Sequence, residues 1–473
     1  MTGDMSIHKV VAVFCPAGFE NMASLHFGSA LLPSGWADDV QVMVTDGIIS
    51  KVTTGVAPAA DDERHPLAIP GMASLHSHAF QRGMAGLAET RGNSADTFWT
   101  WRAAMYRFAL EMGPEDVEAV ATLLYVEMLE RGYTRVGEFH YLHHDRDGTP
   151  YANPAEMATR IARAAEIAGI GLTLLPSFYA HSTFGGAAPH AGQRRFICSV
   201  DQFAKLTAVA RAAVRALPGA NVGIAPHSLR AVTPDELAAI LPLAEAGPVH
   251  IHAAEQIKEV EDCIAWSGRR PVQWLLEHAP VDQRWCLIHA THMTPSEIIL
   301  LAESGAVAGL CPVTEASLGD GIFPTREFVA SGGRFGIGTD SNVLVGVTDE
   351  LRQLEYAQRL KHLERNVVSG RSGLSTGRTL FDHAIGGGAR ALGQLTAGIQ
   401  PGARADIVSL NTRHPSLAGR RADAVLDGWI FAAGADAVGC VWSGGKKVVE
   451  DGRHRLRHQA RDAFNDAVRR LVT

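Results

Sequence analysis

Four sites along the chain carry histidine or aspartate at the end of a short apolar run. They are His76-Ser77-His78, His252, His289 and Asp340. Each apolar run is typical of a buried strand, so the polar residues are predicted to lie where strands end and loops begin. Imidazoles and a carboxylate brought together there are suitable ligands for one borderline divalent cation such as Zn²⁺. The pattern predicts a hydrolase that activates water on a metal ion.

The spacing within the sites supports a shared ion. His76 and His78 are two residues apart on a predicted strand, so both side chains project to the same face. Glu255 follows His252 by three residues, which places a carboxylate close to the predicted metal. His250 also precedes His252 by two, but it lies about one layer deeper and is expected in the core or in support of the ligands. Either His-X-His pair, taken alone, could consist of hydrogen-bonded histidines that bind no metal. That explanation does not account for all the sites occurring together in this order.

Strand-like runs alternate with helical segments through the middle of the chain. The eight runs are Leu67–Leu75, Thr134–His140, Gly171–Phe178, Asn221–Pro226, Pro248–His252, Trp285–His289, Ala306–Pro312 and Arg334–Thr339. This alternation predicts an α/β fold, and the count of eight favours a (β/α)₈ TIM-like barrel, whose strand carboxyl ends converge on the face that holds the active site. A doubly wound sheet is the alternative. It usually has a glycine-rich phosphate turn after the first strand, and Leu75-His76-Ser77-His78 is not one.

Both ends of the chain are β-rich. Asp46-Gly47, between Val40–Thr45 and Ile48–Val52, predicts a hairpin because both turn positions need positive φ. Near the other end, Ala405–Leu410, Val438–Trp442 and Lys446–Glu450 are strand-like. We predict a small β-sandwich domain built from residues 1–70 and 386–455, and a hydrolase barrel over 71–385. The apolar spacing over 456–473 predicts a C-terminal helix docked on the protein.

The composition of the chain argues against some binding partners and cellular locations. The 473 residues are 46% hydrophobic and 20% charged, as in ordinary globular proteins. A net charge of −7 without a basic block argues against nucleic acid, and the absence of a long apolar run argues against a membrane span. Met1–Glu20 is too weakly apolar for a signal peptide. Six cysteines without a CxxC pair indicate core packing in a reducing compartment, so we expect a cytoplasmic protein.

The four sites resemble those of the amidohydrolase superfamily, whose barrels carry His-X-His after strand 1, His after strands 5 and 6, and Asp after strand 8. The unit from His252 to Glu255 looks like the branch that deaminates amidine-like carbons with a single metal, and the fourth strand lacks the bridging lysine or glutamate of binuclear members. Zn²⁺ is the expected ion, with Fe²⁺ or Mn²⁺ as alternatives. The resemblance also implies a homodimer. It assigns the metal to His76, His78, His252 and Asp340, and the activated water to His289.

Longer stretches are similar to those of superfamily members that hydrolyse N-formimino-L-glutamate to N-formyl-L-glutamate and ammonia in histidine degradation. They are Leu75–Gly83, Glu138–Tyr141, Ala225–Val232 and Gly338–Asn342. The small acidic substrate implied by this resemblance needs cationic donors, and arginine forks match carboxylates. The resemblance assigns the formimino or amide end to Gln81 and the carboxylates to Arg102, Tyr141, His227 and Arg230. Arg102 could instead cover the aromatic residues that precede it, and Tyr141 could be a core tyrosine.

A mechanism follows as a hypothesis. Asp340 and His289 would accept the water proton and direct attack at the formimino carbon. Glu255, expected to be ionised beside a cation, would bind the amidinium-like substrate and then protonate the leaving nitrogen as general acid.

Two other functions share part of the pattern. A deaminase of a neutral purine such as guanine would need the same metal-site residues, but not Arg102, Arg230 and His227 together. A non-catalytic metal-binding barrel would be expected to have lost some of the ligands or Glu255.

Overall fold

The computed structural model describes residues 22–92 and 96–472. The interpretation of Met1–Glu20, and the start of the predicted small domain, lie outside these residues. The strands are β1 (Met22–Leu32), β2 (Gly35–Thr45), β3 (Ile48–Thr53), β4 (Glu63–Pro70), β5 (Met72–Ser77), β6 (Tyr133–His140), β7 (Gly171–Phe178), β8 (Asn221–Val222), β9 (Ala225–Pro226), β10 (Val249–Ala253), β11 (Trp285–His289), β12 (Val307–Leu310), β13 (Arg334–Ile337), β14 (Ile407–Leu410), β15 (Val438–Ser443), β16 (Lys446–Glu450) and β17 (Arg453–His454).

The α-helices lie mainly between the strands of the middle region. They are α1 (Phe98–Glu111), α2 (Pro114–Glu130), α3 (Glu156–Ala168), α4 (Val200–Val214), α5 (Pro234–Ile240), α6 (Ile257–Ser267), α7 (Pro271–His278), α8 (Pro295–Ser304), α9 (Pro312–Leu318), α10 (Thr325–Ala330), α11 (Val347–His362), α12 (Thr376–Ala391), α13 (Asp423–Gly428) and α14 (Arg457–Val472). Among the described residues, none of these helices combines the length and apolarity needed to cross a bilayer.

Strands β5 to β13 form a closed parallel barrel. One sheet runs β5-β6-β7 and continues into the short β8 and β9, which together occupy the fourth position. A second sheet runs β10-β11-β12-β13. Parallel bridges join the two sheets on both sides. Ile224 pairs with Val249 and Ser228 with His252 on one side, and Ser77 pairs with Asp340 on the other. The predicted (β/α)₈ barrel is therefore confirmed, and its closure brings the first and last strands together at the predicted metal residues.

The two chain ends build the predicted small β-domain, but as one connected sheet. Its order is β17-β16-β15-β14-β4-β1-β2-β3. The edge strand β3 returns to the segment before β14, where the Ile49 N–H donates to the Ala403 carbonyl at 2.8 Å. The sheet therefore curls around its own apolar core, which includes Phe27, Val42 and Trp442. At the predicted hairpin, Asp46 and Gly47 both have positive φ (49° and 83°).

The run Leu67–Leu75 is two strands rather than one. The Gly71 N–H still donates to Asp406 of the small sheet, whereas the Met72 N–H donates to Gly132 beside the barrel. A Cβ on Gly71 would lie 2.4 Å from the Thr134 side chain, so only glycine fits where the chain passes between the sheets. An unbroken apolar run hides this change of partner, because both strands are buried.

The predicted domain boundary at residues 385 and 386 falls inside α12. This helix belongs to the barrel, since it packs against β13 and β5. A Cβ on Gly387 would lie 1.9 Å from the Phe335 carbonyl oxygen, so the glycine permits close contact with β13. The second segment of the small domain consequently begins after Ala391.

The C-terminal helix α14 docks where its apolar spacing indicates. Ala460 and Ala467 are buried, and the helix packs against α2. Arg457 pairs with Glu130 at the end of α2, and the same carboxylate accepts the His454 N–H at 2.8 Å. The arginine-rich outer face remains towards solvent.

Candidate active site

The barrel places the predicted metal residues at the carboxyl ends of its strands. His76 is near the end of β5, His252 near the end of β10 and His289 at the end of β11, while Asp340 follows β13 by three residues. His289 and Asp340 have positive φ (68° and 46°), a conformation that costs energy for residues with a Cβ. In this conformation the two side chains meet, and His289 Nε2 lies 3.6 Å from Asp340 Oδ2.

Four of the predicted residues converge on one buried point. The Nε2 atoms of His252 and His76 are 3.1 Å apart. Asp340 Oδ1 lies 3.4 Å from His78 Nε2 and 3.6 Å from His76 Nε2. Ligand atoms of His76, His78 and His252 all lie within 4.8 Å of one another. These side chains are therefore close enough to share one ion.

The protein fixes the tautomers of two of these imidazoles. His78 Nδ1 lies 2.8 Å from the Phe139 carbonyl, and His252 Nδ1 lies 2.8 Å from the His227 carbonyl. A carbonyl only accepts, so each Nδ1 carries the proton and each Nε2 presents a lone pair to the centre. Such an arrangement is typical of metal-binding histidines.

The electrostatics of this cluster fit a cation. Burial lowers the pKa of His76 to about 3 and lowers the pKa values of His78 and His252, so the three rings remain neutral. Burial would raise the pKa of Asp340, but its hydrogen bond with His76 and the nearby imidazoles hold it below its usual value. Converging lone pairs and an ionised carboxylate repel one another unless a positive ion lies between them. The donor set thus fits a divalent metal.

Cys311 is an additional potential donor beside the cluster. A ligand atom of this residue lies within 4.8 Å of atoms of His289 and Asp340. Burial raises the pKa of its thiol well above the usual range. Because the thiolate is the metal-binding form, Cys311 is a poorer ligand here than the histidines.

His289 lies between three carboxylates on the side of the cluster that faces Glu255. Its Nε2 is 3.6 Å from Asp340 Oδ2 and 3.6 Å from Glu255 Oε1, and its Nδ1 is 3.2 Å from Glu315 Oε1. Burial alone would lower the pKa of His289, but these carboxylates raise it. The ring is therefore held where it can exchange a proton with either Asp340 or Glu255.

Glu255 links the predicted metal centre to the predicted substrate site. It contacts His289 on one side, and its Oε2 is 3.7 Å from Arg230 Nη2 on the other. Burial raises the pKa of this carboxyl, although His289 and Arg230 oppose the effect. We expected a carboxylate that stays ionised, whereas the buried setting favours a carboxyl that can hold a proton. That property suits a general acid.

The five predicted substrate residues line one cavity above the cluster, together with Glu255 and Asp340. Arg230 is 5% exposed and makes no hydrogen bond to another described residue, and its Nε is buried without a partner. Arg102 donates to two tyrosine hydroxyls. A buried guanidinium without acceptors is costly, so the cavity is prepared for an anion.

The remaining three residues have partners that orient them. Gln81 Nε2 donates to the Tyr141 hydroxyl at 2.8 Å, which leaves the buried Gln81 Oε1 without a partner among the described residues. Burial, together with Arg230 and Arg102, keeps the pKa of His227 well below its usual value, so the ring is neutral. Tyr141, which accepts the hydrogen bond of Gln81 and lines the cavity, is therefore part of the cavity wall as well as of the core.

Three other histidines lie outside the cluster. His250 Nε2 lies 2.7 Å from the Ala391 carbonyl, in keeping with the supporting position expected for it. His143 and His144, which follow β6, are buried and contact the carbonyls of Ser177 and Ile197, respectively. Their burial reflects the folding of the segment around Arg195 over the end of β6.

Sequence reasoning missed several cavity and cluster residues. Tyr179 directly follows β7, and Glu315 comes five residues after the end of β12. These are the two barrel strands for which we had proposed no site residue, so the position after each strand end was the available signal. Tyr106 lies one helical turn after Arg102 on α1, a spacing that indicates a shared face.

Comparisons with known proteins agree with this geometry. The Amidohydrolase family model matches residues 67–448, and the model of the formimidoylglutamate deiminase HutF N-terminal domain matches residues 22–66. A formimidoylglutamate deiminase of Pseudomonas aeruginosa is 50% identical over 95% of this chain and 100% of its own length. A 5-methylthioadenosine/S-adenosylhomocysteine deaminase of Natronomonas pharaonis is 29% identical over 80% of this chain and 81% of its own.

A solved structure extends the agreement to the whole fold. The crystal structure of an amidohydrolase from Brucella melitensis has a TM-score of 0.93 and 59% identity, and covers 95% of this chain and 100% of that one. The two chains therefore share the same overall fold over nearly their whole lengths. This protein belongs to the amidohydrolase family.

Proposed function

We propose that this protein hydrolyses N-formimino-L-glutamate to N-formyl-L-glutamate and ammonia. One observation carries the choice of substrate: two guanidinium groups, Arg102 and Arg230, line the same cavity as the metal cluster. Among the residues that the structure describes, the only carboxylate paired with either is Glu255, 3.7 Å from Arg230. A dicarboxylate supplies the missing negative charge, whereas a neutral purine would leave Arg102 without a carboxylate and Arg230 with Glu255 alone. The P. aeruginosa deiminase, 50% identical, supports the same substrate.

The reaction exchanges one carbon–nitrogen bond for a carbon–oxygen bond. Water oxygen bonds to the formimino carbon and becomes the formyl oxygen. The bonds between this carbon and the terminal nitrogen break, and both water protons end on that nitrogen, which leaves as ammonia. A divalent cation at the cluster would supply the Lewis acidity that lets water attack near neutral pH. His76, His78, His252 and Asp340 would hold this cation.

The proton transfers fall to Glu255, His289 and Asp340. His289 and Asp340 are 3.6 Å apart and can accept the proton that water loses. Glu255, whose pKa is raised by burial, can hold a proton and deliver it to the departing nitrogen. Arg230 beside Glu255 places the substrate within reach of that carboxyl.

We further propose Zn²⁺ as the resident ion, a homodimer as the assembly and the cytoplasm as the location. Three imidazole nitrogens and one carboxylate oxygen form a donor set that zinc prefers, while Fe²⁺ and Mn²⁺ remain alternatives. Metal analysis of the purified protein and its sedimentation behaviour test the first two proposals directly.

Ammonia release from three substrates tests the function. Metal-replete protein is assayed with N-formimino-L-glutamate, guanine and adenosine at equal concentrations. We expect kcat/KM for N-formimino-L-glutamate to exceed the other two by about 10⁴-fold, because unpaired arginines penalise a neutral ligand. Preference for a purine would replace this proposal by a purine deaminase, and no release from any substrate, despite bound metal, would support a non-catalytic barrel.

A further inference from the structure

Arg102 is held by uncharged acceptors. Its Nε donates to the Tyr106 hydroxyl at 2.6 Å and its Nη2 donates to the Tyr179 hydroxyl at 2.8 Å. A carboxylate in their place would neutralise the guanidinium and compete with an anionic ligand. Two phenols orient the same group while leaving its charge intact. Among the described residues, the Nη1 of Arg102 has no hydrogen-bond partner.

The hydrogen-bond capacity of the two phenols determines which protons are left. The Tyr179 hydroxyl also accepts from Gln193 Nε2 at 2.8 Å, so both of its lone pairs are used. Its proton is then available to the Tyr106 oxygen, 3.3 Å away. Burial alone would raise the pKa of Tyr179, but Arg102 and Arg230 lower it, which strengthens this hydroxyl as a donor. The network thus has one consistent direction, from Gln193 and Arg102 through Tyr179 to Tyr106.

The network is anchored in three separate parts of the fold. Tyr106 is on α1, Tyr179 follows β7, and Gln193 is fully buried in the short turn Ala191–Gln193. Gln193 Oε1 accepts the His190 N–H at 3.0 Å, so the amide orientation is fixed at both ends. Trp99 lies 5.5 Å from the Arg102 guanidinium and 5.8 Å from that of Arg230. Its ring offsets part of the repulsion between two neighbouring cations.

We propose that Tyr106, Tyr179 and Gln193 are positioning residues that set the specificity for a dicarboxylate by aiming Arg102 at one of its two carboxylates. The inference rests on the proposed function and deepens it. It assigns Arg102 to one carboxylate only, because Nε and part of Nη2 are already engaged with the tyrosines. The other carboxylate belongs to the Arg230 side of the cavity.

Steady-state kinetics with Tyr179→Phe and Tyr106→Phe test the inference. The substrates are N-formimino-L-glutamate and its two single-carboxylate analogues, N-formiminoglycine and N-formimino-4-aminobutanoate. We expect each variant to raise KM for N-formimino-L-glutamate about tenfold with kcat within about twofold. One analogue lacks the carboxylate that Arg102 binds, and its KM should not change in either variant. Arg102→Lys should spare the same analogue.

The matched control is Tyr356→Phe. Tyr356 is 39% exposed on α11, stacks on Phe431 and does not line the cavity. Its loss should change no kinetic constant, and thermal unfolding of all variants shows whether the fold is kept. If one tyrosine variant fails to fold, the other and Arg102→Lys decide the question.

The outcomes separate this inference from the proposed function. Unchanged KM for N-formimino-L-glutamate, or an equal rise in KM for both analogues, would overturn the positioning role while the deiminase activity stands. Wild-type protein that releases no ammonia from N-formimino-L-glutamate would instead overturn the proposed function itself.

Discussion

At the scale of single residues, Glu255 and Arg230 are two buried groups of opposite charge that do not fully neutralise each other. Their closest atoms are 3.7 Å apart, too far for a strong hydrogen bond, so neither group fully satisfies the other. Glu255 consequently keeps a raised pKa and Arg230 keeps free donors. A tight ion pair between them would have ended both functions.

Replacing Glu255 by Gln is expected to lower kcat by about 10²-fold or more, because the amide cannot deliver a proton to the leaving nitrogen. The bound metal should remain stoichiometric, since Glu255 is not among the proposed ligands. Turnover and metal content of Glu261→Gln, an exposed neighbour on α6, provide the control. Near-normal turnover in the Glu255 variant would remove this residue from the proton transfer.

Replacing Arg230 by Met should raise KM for the acidic substrate by about 100-fold, the cost of losing a two-point contact between charged groups. The exposed Arg163→Met on α3 should leave KM unchanged. A KM in the Arg230 variant equal to that of the wild type would contradict its place in the carboxylate site.

Secondary-structure elements were predictable where a local signal fixes their ends. The Asp46-Gly47 hairpin, the barrel strands and the helix begun by Thr294-Pro295 all have such signals, and the structure forms a capping box at Thr294. The strand change at Gly71 and the continuation of α12 to Ala391 depend on contacts with Thr134 and Phe335, which are distant in sequence. The metal cluster could be predicted from the sequence because its residues all lie at or just after the ends of strands. The contact between α1 and Tyr179 could not, because it forms only in the folded protein.

The glycines of α12 offer a matched pair. A Cβ at Gly387 would lie 1.9 Å from the Phe335 carbonyl oxygen, whereas a Cβ at Gly386 meets nothing within 4 Å. Gly387→Ala should destabilise the protein by about 2 kcal/mol or more through overpacking. Gly386→Ala should stabilise it by about 0.5–1 kcal/mol through helix propensity. Urea unfolding of both variants measures the difference, and equal values would show that α12 does not approach β13 this closely.

The attachment of α14 is expected to depend on pH through His454. Its Nε2 contacts the Ala168 carbonyl at 2.9 Å and its Nδ1 accepts the Leu456 N–H at 3.1 Å, so the ring is neutral. Burial lowers the pKa of His454 below the ordinary 6.5. The contribution of neutral His454 to the stability of the folded state is complete above pH 6.5. It is lost as pH falls below this value, because the unfolded chain then binds more protons than the folded chain.

Hydrogen exchange of the α14 amides at about pH 7.5 and about pH 5.5, corrected for intrinsic rates, measures this effect. The wild-type helix should lose protection on acidification, and His454→Gln should lose less because its side chain does not titrate. Equal losses in both proteins would show that another group controls the docking of α14.

The whole molecule is held together around the cluster, because β5 and the loop after β13 meet at the bridge between Ser77 and Asp340. A cation there would join the first and last strands of the barrel and also offset the repulsion among the ligands. Chelation should therefore abolish ammonia release and lower the thermal midpoint by about 5 °C or more. Adding back Zn²⁺ should restore both quantities. Full activity after complete removal of metal, verified by elemental analysis, would refute a metal-dependent reaction.

The passage from β4 to β5 through the single residue Gly71 also bears on how this molecule could be taken apart or recombined. No flexible linker exists at that point at which the chain could be divided, and His76 follows only five residues later. If the small sheet were replaced by that of a relative, any displacement of the backbone at Gly71 would also displace His76 and the other metal-site residues. We therefore expect that the small sheet and the barrel cannot be exchanged separately between relatives by joining chains at Gly71.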